Sequence, residues 1–257
     1  MAHSFPSAIL VSFDEDRTIK KNASELSKLA ERGELRAVEE LLDQGIMPTA
    51  EALYLAANEG HSDVVQILAD VVDDIDAAVG FCGNALCAAA ARSRNHDCLK
   101  VLLEKGADVN WLGGHYGCAL QTATANYRLD NVILLLKHGA DVNAQCGHYG
   151  NVMTAAARHA THFIEMSRMF LEHGADINAQ GPGVYGNPLQ TAVWLKHQDS
   201  VRFLLHNGAS PTMQGRFGSA MDIAEGNAFR NTSDKDAEDR IKWLLNGEVS
   251  AELDESR

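Results

Sequence analysis

Four groups of residues in this chain have the types and spacing that chemistry could use. Gly181-Pro-Gly183-Val-Tyr-Gly186 matches Gly-x-Gly-x-x-Gly, in which bare backbone lets amide groups approach a dinucleotide pyrophosphate. That use requires a strand before the first glycine and a long helix after the last, inside a βαβ unit. Here the motif falls at a place where the chain elsewhere carries Gly113-Gly114-His-Tyr-Gly117, so it reads as a turn. His159 and His162 stand three apart and could share a helical face, as metal ligands do, but no cysteine or carboxylate at matching spacing completes a site. Asp73, Asp74 and Asp76 could hold a hard cation; the reading adopted is a solvated acidic loop. Five cysteines (Cys82, Cys87, Cys98, Cys118 and Cys146) form no Cys-x-x-Cys pair and read as buried or half-buried thiols. Neither a phosphate-loop lysine motif nor a Gly-x-Ser-x-Gly elbow occurs.

The elements that carry these residues must be built from an acidic, aromatic-poor chain. Of 257 residues, 46% are hydrophobic but only 6% aromatic, which favours close packing of small-residue helices. The net charge of −13 argues against nucleic acid and anionic membrane surfaces, whose binding relies on Lys and Arg. No apolar run reaches the ~18–20 residues that span a bilayer. The stretch Ala8–Phe13 is too short for a signal core and lacks a basic flank. A cytoplasmic location, with the nucleus as the alternative, is the expectation.

Internal repetition is the strongest signal. Lys105-Gly-Ala-Asp-Val-Asn110 returns as His138-Gly-Ala-Asp-Val-Asn143, as His173-Gly-Ala-Asp-Ile-Asn178 and, degraded, as Asn207-Gly-Ala-Ser210. The glycines at 106, 139, 174 and 208 are 33, 35 and 34 residues apart. A second marker keeps the same step: an aromatic before each turn glycine, at Phe81, Tyr116, Tyr149, Tyr185 and Phe217. Asn84, Asn151, Asn187 and Ser219 are suited to N-cap a short helix, and Pro188 sits at a position where a helix tolerates it. Runs such as Ala88–Ala91 and Ala155–Ala157 allow close helix approach. A second helix then shows leucines three and four apart, as in Leu99, Leu102 and Leu103. Glycine ends it in a left-handed turn. One such hairpin cannot bury its own apolar stripe, so neighbours must stack.

This pattern resembles the ankyrin repeat over about residues 24–247. The Gly-Ala-Asp-Val-Asn ends match closely, while the Thr-Pro-Leu-His element is replaced by sequences such as Asn187-Pro-Leu-Gln190. The Tyr-Gly-Asn-x-Leu-Gln form of that turn resembles repeats of filamentous-fungal ankyrin proteins. The implied fold is all-α: a solenoid of about seven helix-turn-helix units joined by β-turn loops, at 24–49, 50–83, 84–117, 118–150, 151–186, 187–218 and 219–247. Residues 1–23 read as an N-terminal extension packed over the first unit, with a partner-docking segment as the alternative. The last unit contains an insertion at 227–239, and 248–257 reads as an acidic, disordered tail.

Recurrent residues serve stacking, so function should lie where the repeats differ. The aromatic before each turn glycine is accordingly read as structural. The resemblance places binding on a concave surface made of hairpin tips and first-helix ends. The expected partner-binding residues there are Arg92, Trp111, His115, Asn126, His148, Arg158, His159 and Trp194. Trp and Arg are favoured hot-spot residues because they combine large area with directed polar contact. Trp194 has an alternative role, packing against the 227–239 insertion. The expected function is a monomeric scaffold or adaptor for a protein partner, with no catalytic residues, cofactor or metal. Two alternatives are an enzyme or accessory subunit of fungal secondary metabolism, and a recognition arm related to fungal defence receptors.

Overall fold

The computed structural model describes residues 8–92, 96–184, 186–215, 217–227 and 235–247, with side chains from Lys20 onward. The expectations for residues 1–7, for the side chains of Ala8–Phe13, for Tyr185, for most of the 227–239 insertion and for the 248–257 tail lie outside the described residues. Two compact bodies are present, residues 1–108 and 109–257.

The first body holds α1 (Ala8–Arg32), α2 (Leu35–Asp43), α3 (Ala50–Glu59), α4 (Ser62–Leu68), α5 (Ala85–Ala91) and α6 (Asp97–Glu104). No change in secondary structure marks residue 24, since α1 runs unbroken through it. In the second body are α7 (Ala119–Ala125), α8 (Leu129–Lys137), α9 (Val152–Ala157), α10 (Phe163–Glu172), α11 (Pro188–Trp194) and α12 (Gln198–His206). There follow α13 (Ala220–Asp222), continued by a π-helical turn over Ile223–Asn227, and α14 (Lys235–Leu245). Among the described residues there are isolated β-bridges at the hairpin tips but no strand.

Packing follows the repeat. Within each body first helices contact first helices, as α1 on α3, α3 on α5, α7 on α9 and α9 on α11. Second helices likewise follow one another, as α4 on α6 and α12 on α14. The first helices can lie this close because they are nearly all small residues: Val152 to Ala157 are all buried along α9. Every first helix from α5 onward is N-capped by a side chain. The Asn151 Oδ1 accepts from Thr154 N–H at 2.8 Å and the Asn187 Oδ1 from Gln190 N–H at 2.8 Å. At α7 the cap is Cys118, whose sulfur accepts from Gln121 N–H at 3.4 Å, a cap its residue type does not announce. Such caps contribute about 1 kcal/mol each. The second helices close with paired bonds: behind α8, Gly139 N–H reaches Leu136 C=O and Ala140 N–H reaches Leu135 C=O. Gly139 adopts φ +82°, as this closure requires.

Each turn is then tied to the next by one asparagine acting twice. Asn143 donates from Nδ2 to the Gly174 carbonyl at 2.9 Å and accepts at Oδ1 from Asp176 N–H at 2.8 Å. Asn110 and Asn178 make the same pair of bonds to the repeats that follow them. Asp76 stands one repeat before Asn110, and its carboxylate accepts from Asp108 N–H at 3.0 Å and from Asn84 Nδ2 at 3.3 Å. The acidic loop is therefore more than a solvated surface. Burial, with Asp108 and Asp74 adding like charge, raises the Asp76 pKa although its backbone hydrogen bond opposes the rise. Asp73 and Asp74 remain exposed.

Candidate partner-binding site

The hairpin tips of the second body stack through backbone and ring alike. His148 N–H donates to His115 C=O at 2.9 Å, and Val184 N–H donates to His148 C=O at 3.0 Å. The His115 and His148 rings stack with centroids 4.7 Å apart, and Tyr116 lies 6.0 Å from Tyr149 at an interplanar angle of 15°. Backbone contact is closest at the Gly-rich match. A Cβ on Gly183 would lie 2.2 Å from the Tyr149 carbonyl carbon, and one on Gly181 would lie 2.4 Å from Gly150 O. These glycines press on the preceding tip. The motif is a packing surface, in agreement with its reading as a turn.

Arg158, the residue that caps the end of α9, reaches this tip. It donates from Nη1 to the Tyr149 hydroxyl, and its guanidinium carbon lies 5.2 Å from the centre of the Tyr149 ring. Tyr149 is buried while Arg158 stays exposed, so a rigid ring holds a solvent-facing cation in place. His115, His148 and Arg158 are thus brought together around the Tyr149 tip.

Nearby, His159 Nε2 bonds to the Ala125 carbonyl at 3.0 Å, linking the ends of α7 and α9. Asn126, half-buried, turns its amide back to Thr122 C=O at 2.8 Å, so it caps α7. His162 stacks on Tyr127 with centroids 3.6 Å apart. The two histidines considered as metal ligands therefore take different partners: a carbonyl for one, a ring for the other.

Two of these imidazoles respond to acid. Burial, then His115 and Arg158, holds His148 below the ordinary imidazole value. Burial also lowers His159; its bond to Ala125 opposes this, and Arg158, His162 and His197 add to it. The unfolded chain takes up these protons near pH ~6.5, and the folded chain resists them. Stability is consequently complete above that pH and is lost as pH falls through it toward the lowered folded values. The melting temperature should drop between pH 7.5 and 5.5, and less so in a His148→Gln/His159→Gln variant. Equal drops in both proteins would reject the assignment.

The end of the body carries the apolar part of the surface. Val184 on one tip, Phe217 on the next and Trp194 at the end of α11 surround a cavity of about 110 Å³, with Gln190 and Ile223 completing its lining. The Trp194 and Phe217 rings lie 5.5 Å apart at 33°. Trp194 is 41% exposed and Phe217 43%, although Tyr149 in the equivalent tip position is 3% exposed. Phe81 is exposed as well, so the recurrent aromatic is structural at Tyr116 and Tyr149 but not throughout. The alternative role of Trp194, contact with the 227–239 insertion, falls largely outside the described residues.

Two expected residues have other contacts. Arg92 belongs to the first body and pairs with Glu59 at 2.8 Å. Trp111 is half-buried and covers Gly113, where a Cβ would lie 2.2 Å from the indole Cη2. Sequence reasoning passed over Gln121 and Gln190. Gln190 accepts Asn187 N–H at 3.1 Å, completing a capping box, and its amide donates to Met213 and Gly218 carbonyls. The recurrence of Leu-Gln after the cap (Leu120-Gln121, Leu189-Gln190) was the available signal. Among the described residues, no group of three His, Cys, Asp or Glu side chains is arranged to hold a metal ion. The four cysteines Cys82, Cys87, Cys98 and Cys118 are buried and Cys146 is half-buried. A bond from the Cys146 thiol lowers the Cys118 pKa against the effect of its burial, whereas burial pushes Cys98 up to about 11.

The family model for ankyrin repeats matches three overlapping stretches, residues 26–111, 76–146 and 120–214. These cover most of the chain, which belongs to the ankyrin-repeat family. Domains of this class are solenoids of helix-turn-helix repeats and generally mediate protein–protein interaction. Among solved structures, the human ASB11 ankyrin repeat domain is 19% identical with a TM-score of 0.66, covering 85% of this chain and 96% of that one. The ankyrin repeat domain of Bcl-3, described as a unique member of the IkappaB protein family, is 23% identical with a TM-score of 0.66, covering 86% of this chain and 97% of that one. Both likenesses concern the fold. No curated protein matches the chain. No described helix is long and apolar enough to cross a membrane.

Proposed function

We propose that this chain is a scaffold or adaptor that binds a protein segment along the tips and first-helix ends of residues 109–227. An apolar side chain of the partner enters the cavity between Val184, Trp194 and Phe217, and a carboxylate meets Arg158. His115, His148 and His159 flank the path. The carrying observation is the clustering of exposed apolar side chains. Of the seven large hydrophobic residues exposed among those described, three line this one cavity. Isolated exposed apolar residues are ordinary, but a contiguous group in the repeat that follows a held arginine has the composition of a binding hot spot.

The reading is non-catalytic. Among the described residues, the cavity walls carry no acid, base or nucleophile, and their one amide, Gln190, is committed to Asn187, Met213 and Gly218. An excess of thirteen negative charges disfavours nucleic acid. The Tyr-Gly-Asn-Pro-Leu-Gln turn supports a filamentous-fungal origin.

Affinity capture from cell extract, with quantitative mass spectrometry, should find proteins retained by the wild-type chain and depleted about tenfold or more by Trp194→Ala/Arg158→Ala. A retained set identical for the two proteins would reject this surface.

A further inference from the structure

The outer helices of the same body carry a second, chemically different groove. Helices α12 and α14 enclose about 400 Å³ lined by Gln198, Arg202, Arg240, Trp243 and Leu244. Gln198 and Arg202 are four apart on α12, and Arg240, Trp243 and Leu244 lie three and four apart on α14, so one face of each helix forms a wall. Leu244 is buried at the floor, Trp243 is half-buried, and both arginines are exposed. Neither arginine makes an ion pair with a described carboxylate, while Lys196 in the same body pairs with Glu238 of α14 at 2.8 Å. In a chain with 35 acidic and 22 basic residues, two guanidinium groups that line one groove without an ion pair to a described carboxylate favour an external anion there.

We propose that this groove docks an acidic segment of a partner protein in which carboxylates flank a leucine or aromatic residue. Arg202 and Arg240 stay charged at every physiological pH and take carboxylates through paired N–H bonds. The Trp243 face and Leu244 receive the apolar side chain between them, and Gln198 can bond the segment's backbone. Charge complementarity selects this occupant. The net charge of −13 repels an extended polyanion such as nucleic acid, whereas a short acidic segment needs only the two local cations. No residue of the Trp194 surface takes part, so the two sites stand or fall separately.

The test titrates a capped hexapeptide, Asp-Glu-Leu-Leu-Asp-Glu, into the full chain at 0.15 M salt, following the Trp243 indole N–H by NMR. The indole signal is assigned by its loss in Trp243→Phe. The expected result is a saturable shift with Kd below about 1 mM. It should weaken at least about tenfold in Arg202→Glu/Arg240→Glu and vanish for the amide peptide Asn-Gln-Leu-Leu-Asn-Gln, a control that leaves the protein intact. Trp194→Ala should leave the titration unchanged. Equal binding of the amide peptide, or no effect of the charge reversals, would overturn the proposal. So would citrate reproducing and displacing the shift, which marks a small-anion site. Binding only to a chain ended at Gly247 would assign the groove to the chain's own acidic residues 248–257. A shift that grows with protein concentration alone would assign it to a second copy.

Discussion

Gly183→Ala should destabilise the protein by about 2–4 kcal/mol, about twice the cost of Gly139→Ala. The two glycines differ in surroundings rather than in chemistry. A Cβ on Gly183 would lie 2.2 Å from Tyr149 C and 2.4 Å from Gly150 N, backbone atoms that cannot swing aside. Gly147 meets the same obstacle in the preceding tip, with Tyr116 O at 2.1 Å, and adds a φ of +63°. Gly139 has φ +82° but nothing within 4 Å of its Cβ, so alanine there costs only the left-handed backbone, about 1–2 kcal/mol. Relief of the Gly183 clash must separate two tips joined by the Val184–His148 hydrogen bond. Because neighbouring repeats stabilise one another, the loss should spread to α9 and α11. Urea unfolding, with hydrogen exchange to locate the damage, measures it. Equal costs at Gly183 and Gly139 would mean that tip contact does not order the stack.

Trp194→Ala/Phe217→Ala should weaken partner binding by about 30-fold to 1000-fold, corresponding to the 2–4 kcal/mol of an aromatic hot spot. Removing both rings erases two walls of the cavity and the aromatic pair that shapes it. The same change should move the melting temperature little, because at 41% and 43% exposure these side chains contribute only part of their area to the fold. Tyr149→Ala gives the contrast: it empties a buried position and releases Arg158, so binding and stability should fall together. Isothermal titration with the captured partner, run beside thermal unfolding, separates the two behaviours. Parallel losses for both variants would make Trp194 and Phe217 structural.

The repeat was legible because its grammar is local. A glycine that must close a helix, an asparagine that must open one and a stripe of leucines each recur about every 34 residues whatever surrounds them. The candidate site was partly legible for the same reason: departures from the pattern, such as Trp194 and Arg158, mark positions that stacking does not dictate. What escaped was set by neighbours distant in sequence. Cys118 occupies a cap position that asparagine or serine fills elsewhere, and its sulfur serves because the local geometry already presents Gln121 N–H. Asp76 looks like a solvated acid until Asp108, 32 residues on, supplies the donor. Trp111 has a hot-spot residue's chemistry, yet its ring covers Gly113. Phe217 shares its register with Tyr149, but Tyr149 is enclosed and Phe217 opens onto a cavity. Register assigns a residue its place in the repeat, and only the neighbouring repeat decides whether that place is covered.

Site-specific photo-crosslinking tests the central claim most directly. A benzophenone amino acid is placed at Phe217 in one protein and at Lys137, exposed at the end of α8, in another. The expected result is a covalent adduct with the same protein partner from position 217, reduced by Trp194→Ala and absent from position 137. Adducts from 137 alone, or a 217 adduct indifferent to Trp194→Ala, would contradict the account.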